Sequence, residues 1–465
     1  MAVVTAWGAW LGRGSRSGED YFLGGRDLPW TAVLLSVVAT ETSTLTFLSI
    51  PGVSYAGTLG FLQIAVGYLV GRMLVAAWLL PAYHAGRLRT AYELLEERFG
   101  TGTRRLTSAI FMVTRLLADS VRLFATAIPL SLVTGWSLPV SVVVIGVVTF
   151  LYTYAGGLKA VVWVDASQMA LYLAGGVIAI VVLGGLVPGG WGAIFDQASS
   201  AGKLAVLDWS FDLGRPYTVW AGLLGGAFLS MGSHGTDQLI VQRLLACRDL
   251  AASRKALIGS GFAVLIQFAL FLVVGLGLWA YFQGAEFARS DEIFATFIIE
   301  ALPTGVRGLL IAAVFAAAMS TLSSSINSLA SASAYDFWAA RRPEADDAAV
   351  LRVGRRFTWM WAILLVLAAI AFIPISRDST AVEVSLGIAS LIYGGLLGAF
   401  ALARFVPAAD RVAACAGIIT GIGSVTVLWA LARAAVAWPW FVLIGTAITL
   451  GTGVVVTIAR GARAP

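Results

Sequence analysis

The sequence predicts an all-α polytopic membrane protein, and three observations carry that reading. Of its 465 residues, 59% are hydrophobic and 12% are charged, where an ordinary soluble domain carries roughly 25% charged residues. Apolar stretches of about 20 residues, the length that crosses a bilayer, recur along the whole chain. The Lys and Arg residues sort to one side of the loops that those stretches define. A mean hydropathy of +0.87 makes most of the surface apolar as well as the core, which only lipid tolerates as solvent.

In chain order, twelve spans lie near residues 28–55, 57–82, 106–134, 137–155, 160–187, 216–241, 256–282, 303–335, 357–375, 382–405, 412–432 and 437–458. Ahead of them residues 1–12 (Met1 to Gly12) form an apolar stub too short to cross alone, expected to be a thirteenth helix cut short, followed by the polar turn Arg13 to Asp20. It lacks the charged start and cleavage site of a secretory signal. Alternating the loops across the membrane puts 22 of the 31 Lys and Arg on one side, the 243–255 loop with Arg243 among them, and 6 on the other, while Arg72, Arg115 and Arg122 fall inside spans. A wrong span count would scramble this alternation after the error. The basic side, with the C-terminus, is therefore expected to face the cytoplasm across the cytoplasmic membrane. Acidic residues gather in the opposite loops, 188–215 and 283–302, as ordinary solvated loops or as an attractor for external cations.

Composition also narrows the chemistry. Two cysteines, Cys247 and Cys415, and two histidines, His84 and His234, are too few for a disulfide framework or for zinc or di-iron catalysis. No Gly-rich phosphate loop and no long hydrophilic stretch occurs, which disfavours nucleotide-driven pumping. No nucleophile, base and orienter can be nominated together, so the chain is not expected to be an enzyme. Nothing indicates a nucleic-acid partner or an obligate protein partner; the expected partners are a small solute and the lipid bilayer.

Ionisable groups inside spans are costly unless paired or facing a cavity, and each is a functional candidate. They are Glu41, Arg72, Arg115, Asp119, Arg122, Asp165 and Asp237. Glu41 lies in Ala39-Thr40-Glu41-Thr42-Ser43-Thr44-Leu45-Thr46, where the hydroxyls can rescue an interrupted helix and released carbonyls would suit Na⁺. Alternatively the hydroxyls bond to their own helix and Glu41 pairs with a buried arginine. Ala317, Ser320, Thr321 and Ser324 follow i, i+3, i+4, i+7 on one helical face. That face serves close helix packing, or it offers oxygen ligands to a hard alkali cation. Asp165 caps its helix, meets an arginine or supplies the charge of a second cation site. Arg115, Asp119 and Arg122 share a face, as an internal ion-pair lattice or as a grip on an anionic substrate. Gly225-Gly226 and Gly232-Ser233-His234-Gly235 precede Thr236-Asp237-Gln238, so the 216–241 span is a second one that could break. Paired breaks in corresponding halves point to the midplane site of a secondary transporter.

Four segments, in order between residues 19 and 406, resemble the sodium/solute symporters that include bacterial proline and sialic-acid carriers and the sodium/glucose cotransporters. They are Glu19 to Trp30, Gly156 to Asp165, Thr236-Asp237-Gln238 with Val241-Gln242-Arg243, and Ala317 to Ser328. The resemblance implies a ten-helix core of two inverted five-helix repeats, 28–187 and 216–405, with two further C-terminal helices in 412–458. It implies a principal Na⁺ held by the carbonyls of Ala39, Thr42 and Ala317 and the hydroxyls of Ser320 and Thr321. Some members bind a second Na⁺, and the matching positions are Asp165, Ser320, Ser323 and Ser324. Glu41 aligns with an acid that proline carriers need for Na⁺ use, where sugar carriers have an amide. Thr46 aligns with a substrate-contacting position, and Asp237 and Gln238 lie near a sugar-contacting stretch. Arg72, Arg115 and Arg122 match no substrate residue. The expected function is Na⁺-coupled symport of a sugar, amino acid or carboxylate by alternating access, with Na⁺ as coupling ion and no other cofactor. H⁺ coupling through Glu41 or Asp165 and a transporter-like receptor are the competing readings.

Overall fold

The computed structural model describes residues 2–11, 15–42, 44–86, 88–287, 290–342, 344–374, 381–432 and 435–461. Ser43, part of the hydroxyl run, lies outside them. The first half of the chain holds α1 (Ala2–Leu11), α2 (Gly18–Leu23), α3 (Trp30–Glu41), α4 (Thr44–Ala56), α5 (Leu62–Ala85), α6 (Glu93–Phe99), α7 (Thr101–Thr134), α8 (Leu138–Leu186) and α9 (Gly190–Ser200). The second half holds α10 (Gly226–Gly235), α11 (Gln238–Leu245), α12 (Leu250–Tyr281), α13 (Ser290–Glu300), α14 (Thr304–Ala332), α15 (Asp347–Phe372), α16 (Ala381–Phe405), α17 (Arg411–Ala432) and α18 (Trp440–Ala459). Among the described residues the only strand-like pairing is one bridge between Leu28 and Cys247.

Among the described residues seven helices are long and apolar enough to cross a membrane, or eight when the bent pair of α3 and residues Thr46–Ala56 of α4 is taken as one span. The remaining predicted spans differ for physical reasons. The 106–134 span is on α7, where Arg115, Asp119 and Arg122 lower its hydropathy. The 216–241 span begins with a wide turn at Ala221–Gly225 and is split by the non-helical pair Thr236-Asp237.

The 137–155 and 160–187 spans are joined in α8, whose 49 residues would run ~74 Å if straight, more than twice a bilayer core. Gly157 breaks it, with φ 55° and ψ −153°. Tyr152 reaches the Met319 carbonyl at 3.1 Å, and Asp165, thirteen residues on, shares partners with Ser324 of the same helix α14. A straight helix would hold those two levels ~20 Å apart, so α8 folds back at Gly157. A side chain there would strike the Tyr21 carbonyl, and L residues resist that φ. Tyr21 secures the turn, its hydroxyl donating to the carbonyls of Thr153 and Tyr154.

Four short helices, α2, α6, α9 and α13, fall in segments that hydropathy reads as loops, and α1 packs against α8 with Gly8 beside Val164. Arg243, counted with the inside loop, instead lies on α11 and is fully buried. The loop expectation fails there because apolar residues, Leu244 to Cys247, continue past it.

Candidate functional site

The first predicted break is present. α3 ends at Glu41, Thr42 turns extended at φ −84° and ψ 101°, and the chain resumes in α4 with a bend of 63°. A helix end leaves its last carbonyls without intrahelical donors. Thr42 N–H still reaches the Val38 carbonyl at 2.9 Å, and its hydroxyl exchanges hydrogen bonds with the side chain of Gln267. The Thr42 hydroxyl is thereby engaged, which leaves the backbone carbonyls as the oxygens of this segment.

Facing α3 stands α14, where Ala317, Ser320, Thr321, Ser323 and Ser324 are all buried. The Thr321 hydroxyl donates to the Ala317 carbonyl at 3.3 Å, and the Ser323 and Ser324 hydroxyls donate to the Ser320 carbonyl at 3.0 and 2.7 Å. Such back-bonds use the hydroxyl protons and leave oxygen lone pairs for a cation. The Ser320 hydroxyl is buried and makes no hydrogen bond of ordinary geometry. Thr40 and Ser324 hydroxyls lie 3.2 Å apart, tying α3 directly to α14. The side chains on this face are hydroxyls, which are hard oxygen donors.

Asp165 adjoins this face from α8. Its Oδ2 accepts from Ser36 at 2.7 Å and meets Arg243 Nη2 at 3.1 Å. Arg243 also donates to the Ser36 hydroxyl at 2.8 Å, to the Leu239 carbonyl at 2.7 Å and to the Ser324 hydroxyl. One guanidinium thus joins α3, α8, α11 and α14. Asp165 Oδ1 is left buried without a hydrogen bond of ordinary geometry, like the Ser320 hydroxyl that approaches the carboxylate.

Glu41, at the first break, pairs with Arg72 of α5 and lies 3.5 Å from His234 of α10, next to the second break. Arg72 is fully buried and donates to Ser260 at 2.8 Å. Gly261 lets α12 approach the Arg72 stem. His234 Nδ1 engages Ser233 at 2.8 Å, whereas His234 Nε2 and Arg72 Nε have no hydrogen-bond partner. Thr46 is half-buried on α4.

The second break places Asp237 as the cap of α11, accepting from Leu239 N–H at 2.9 Å. Its other oxygen receives Arg115 and the Tyr393 hydroxyl, the latter at 2.8 Å. Arg115 and Arg122 flank Asp119 at 3.6 and 3.2 Å, and Ser325 donates to it. The lattice expected of the Arg115, Asp119, Arg122 face therefore exists, and it extends to Asp237. Gln238 directly follows the second break, but its side chain is engaged elsewhere: it accepts from Ala91 N–H at 2.8 Å and secures the 88–92 segment. Sequence reasoning missed Ser36, His234, Gln267, Tyr393 and above all Arg243. A charge with apolar residues on both sides, Leu239 to Val241 before it and Leu244 to Cys247 after it, was the signal for the last.

Two interrupted helices that meet through Glu41 and His234, beside a buried cluster of hydroxyls, mark a secondary carrier by class. The comparisons agree. The sequence profile of the sodium:solute symporter family matches residues 21–429, and the chain belongs to that family. It is 29% identical over 462 residues to the sodium/sialic acid symporter NanT of Aliivibrio fischeri, covering 97% of this chain and 90% of that one. It is 28% identical over 418 residues to the human sodium-coupled monocarboxylate transporter 2, covering 88% of this chain and 67% of the relative. The structure of a substrate-bound, outward-open Na⁺-coupled sialic acid symporter, described as revealing a novel Na⁺ site, superposes with a TM-score of 0.88 at 27% identity over 98% of this chain and 96% of that one. The nucleobase-cation-symport-1 transporter Mhp1 shares the fold alone, at a TM-score of 0.55 and 13% identity, covering 96% of this chain and 95% of its own. The protein is a multi-pass Na⁺-coupled solute symporter built on an alternating-access fold with Na⁺ as its coupling ion.

Proposed function

We propose that the chain carries a small organic carboxylate inward with two Na⁺ ions. The principal ion is held by the carbonyls of Ala39, Thr42 and Ala317 and the hydroxyls of Ser320 and Thr321. The second is held by Asp165 with Ser320, Ser323 and Ser324. The observation that carries the assignment is the approach of the Ser320 hydroxyl to the Asp165 carboxylate, where Ser320 Oγ and Asp165 Oδ1 are both buried and neither makes a hydrogen bond of ordinary geometry. Buried polar atoms are nearly always satisfied, and two acceptors side by side suit a cation. Arg243 fits this reading because it occupies only Oδ2 and fixes the carboxylate with its other oxygen free. Its positive charge also keeps Na⁺ affinity modest, which favours release.

A carboxylate substrate is supported by the Arg72 guanidinium beside the first break, whose Nε is buried with no hydrogen-bond partner while its Nη2 pairs with Glu41. Relatives named for monocarboxylates and sialic acid, which are carboxylates, point the same way. The residue ranges 28–187 and 216–405 are proposed as the two inverted repeats. The basic loops and C-terminus are assigned to the cytoplasmic face of the cytoplasmic membrane. Coupling arises because Na⁺ binds more tightly to the state in which α3 and α14 are clamped; an ion bound equally in both states would couple nothing.

Ser320→Ala with Thr321→Ala should raise the half-saturating Na⁺ concentration for uptake at least tenfold in proteoliposomes, the loss of ~1.4 kcal/mol of ion binding. An unchanged Na⁺ dependence overturns the site. Uptake driven by a pH gradient without Na⁺ would replace Na⁺ coupling by proton coupling through Glu41 or Asp165.

A further inference from the structure

We propose that a cleft on the basic-loop side, between α8 and α15, binds the phosphate headgroup of an anionic phospholipid. It has a volume of about 530 Å³ and is lined by Tyr154, Arg352, Arg355, Arg356 and Trp359. That size falls within the roughly 300–1,000 Å³ of small-ligand clefts.

Four features identify the ligand. Charge comes first. Buried and loop arginines elsewhere, such as Arg26, Arg104 and Arg460, pair with carboxylates, whereas no described acid pairs with Arg352, Arg355 or Arg356. Three guanidiniums converge without a counter-charge, at i, i+3 and i+4 of α15. Second, Arg355 is pinned by ring faces, its guanidinium carbon lying 5.8 Å from the Tyr21 ring and 6.0 Å from the Tyr154 ring, yet its Nε is buried with no hydrogen-bond partner. A donor held rigid and left unsatisfied awaits an acceptor. Third, an exposed aromatic borders the cleft. Trp359 packs edge-on against Phe150 at 4.9 Å and is still 51% exposed, as an interfacial aromatic is. Fourth, below Trp359 the same two helices present apolar side chains to lipid, Leu151 on α8 and Leu367 on α15 both more than half exposed. A soluble anion would use only the arginines; a diacyl phosphate uses the arginines, the aromatic collar and the apolar strip together. Juxtamembrane basic clusters attract anionic lipid on this principle.

The full-length protein in detergent, titrated with phosphatidylglycerol or phosphatidylethanolamine and followed by native mass spectrometry, tests the assignment. The wild type should retain phosphatidylglycerol selectively. Arg352→Gln and Arg356→Gln, both at exposed positions, should each weaken retention about fivefold, the attraction of one surface basic residue. A thermal unfolding measurement without lipid checks that the variants are folded. Equal retention of the two lipids, or unchanged phosphatidylglycerol retention in the folded double variant, overturns the site. Displacement of the lipid by millimolar inorganic phosphate would overturn the lipid in favour of a soluble anion.

Discussion

Two carboxylates in the bundle are each held by a buried arginine from a neighbouring helix, and they are held differently. Asp165 is fully enclosed, its Oδ2 shared by Arg243 and Ser36 and its Oδ1 without a hydrogen bond of ordinary geometry. Glu41 sits at a helix break with its side chain 19% exposed, against Arg72 and near His234. The first arrangement is a rigid socket that presents one oxygen in a fixed direction. The second leaves the carboxylate partly exposed at the break itself, beside His234. An arginine partner alone therefore does not mark a carboxylate as structural; each arginine here uses one carboxylate oxygen, and the two pairs differ in how far the carboxylate is enclosed.

The comparison is broken most severely by Asp165→Asn. It removes the counter-charge of a fully buried guanidinium, which costs ~3–5 kcal/mol. The expected outcome is a marked fall in thermal stability together with a Hill coefficient for Na⁺ that drops toward one. A stable variant with unaltered cooperativity would show that Asp165 is neither socket nor ligand. Glu41→Gln should be milder, ~1.5–3 kcal/mol for one charged hydrogen bond, because Arg72 keeps Ser260 and the carboxylate is partly exposed. Its effect should fall on substrate KM while Na⁺ cooperativity persists, and a loss of cooperativity would erase the distinction between the two acids. Smallest is Ser36→Ala, which loosens the socket without removing charge. At ~1 kcal/mol it should raise the half-saturating Na⁺ concentration about fivefold, read by Na⁺-dependent thermal stabilisation.

The membrane class, the order of spans and the two breaks were legible in the sequence for direct reasons. Apolar length records the bilayer, and hydroxyls at 40–46 and glycines at 225–235 record where a helix can be interrupted. The buried hydroxyl face of α14 was legible because Ser320, Thr321 and Ser324 repeat with helical period. The rest depends on distance along the chain. Arg243 was read as a loop charge because its partner lies 78 residues away on another helix. Asp336 was not singled out, although it is fully buried and receives Arg104, Thr90 and Ser108. The short helices α9 and α13 are stabilised by packing rather than by length. Phe294 of α13, for instance, stacks on Phe47 of α4 at 5.2 Å, a contact that no local pattern announces.

The fold-back at Gly157 also has a mechanical meaning. Most helix pairs are joined by loops that stretch, so one member can tilt while the other stays. Here the pivot is a single glycine pressed against the Tyr21 backbone, with no spare chain on either side. The two arms of α8 behave as one bent lever, with Asp165 on one arm and Tyr154 on the other. On the two proposed assignments, this pivot joins the arm that carries Asp165 to the arm that carries Tyr154, so movement of one is carried to the other.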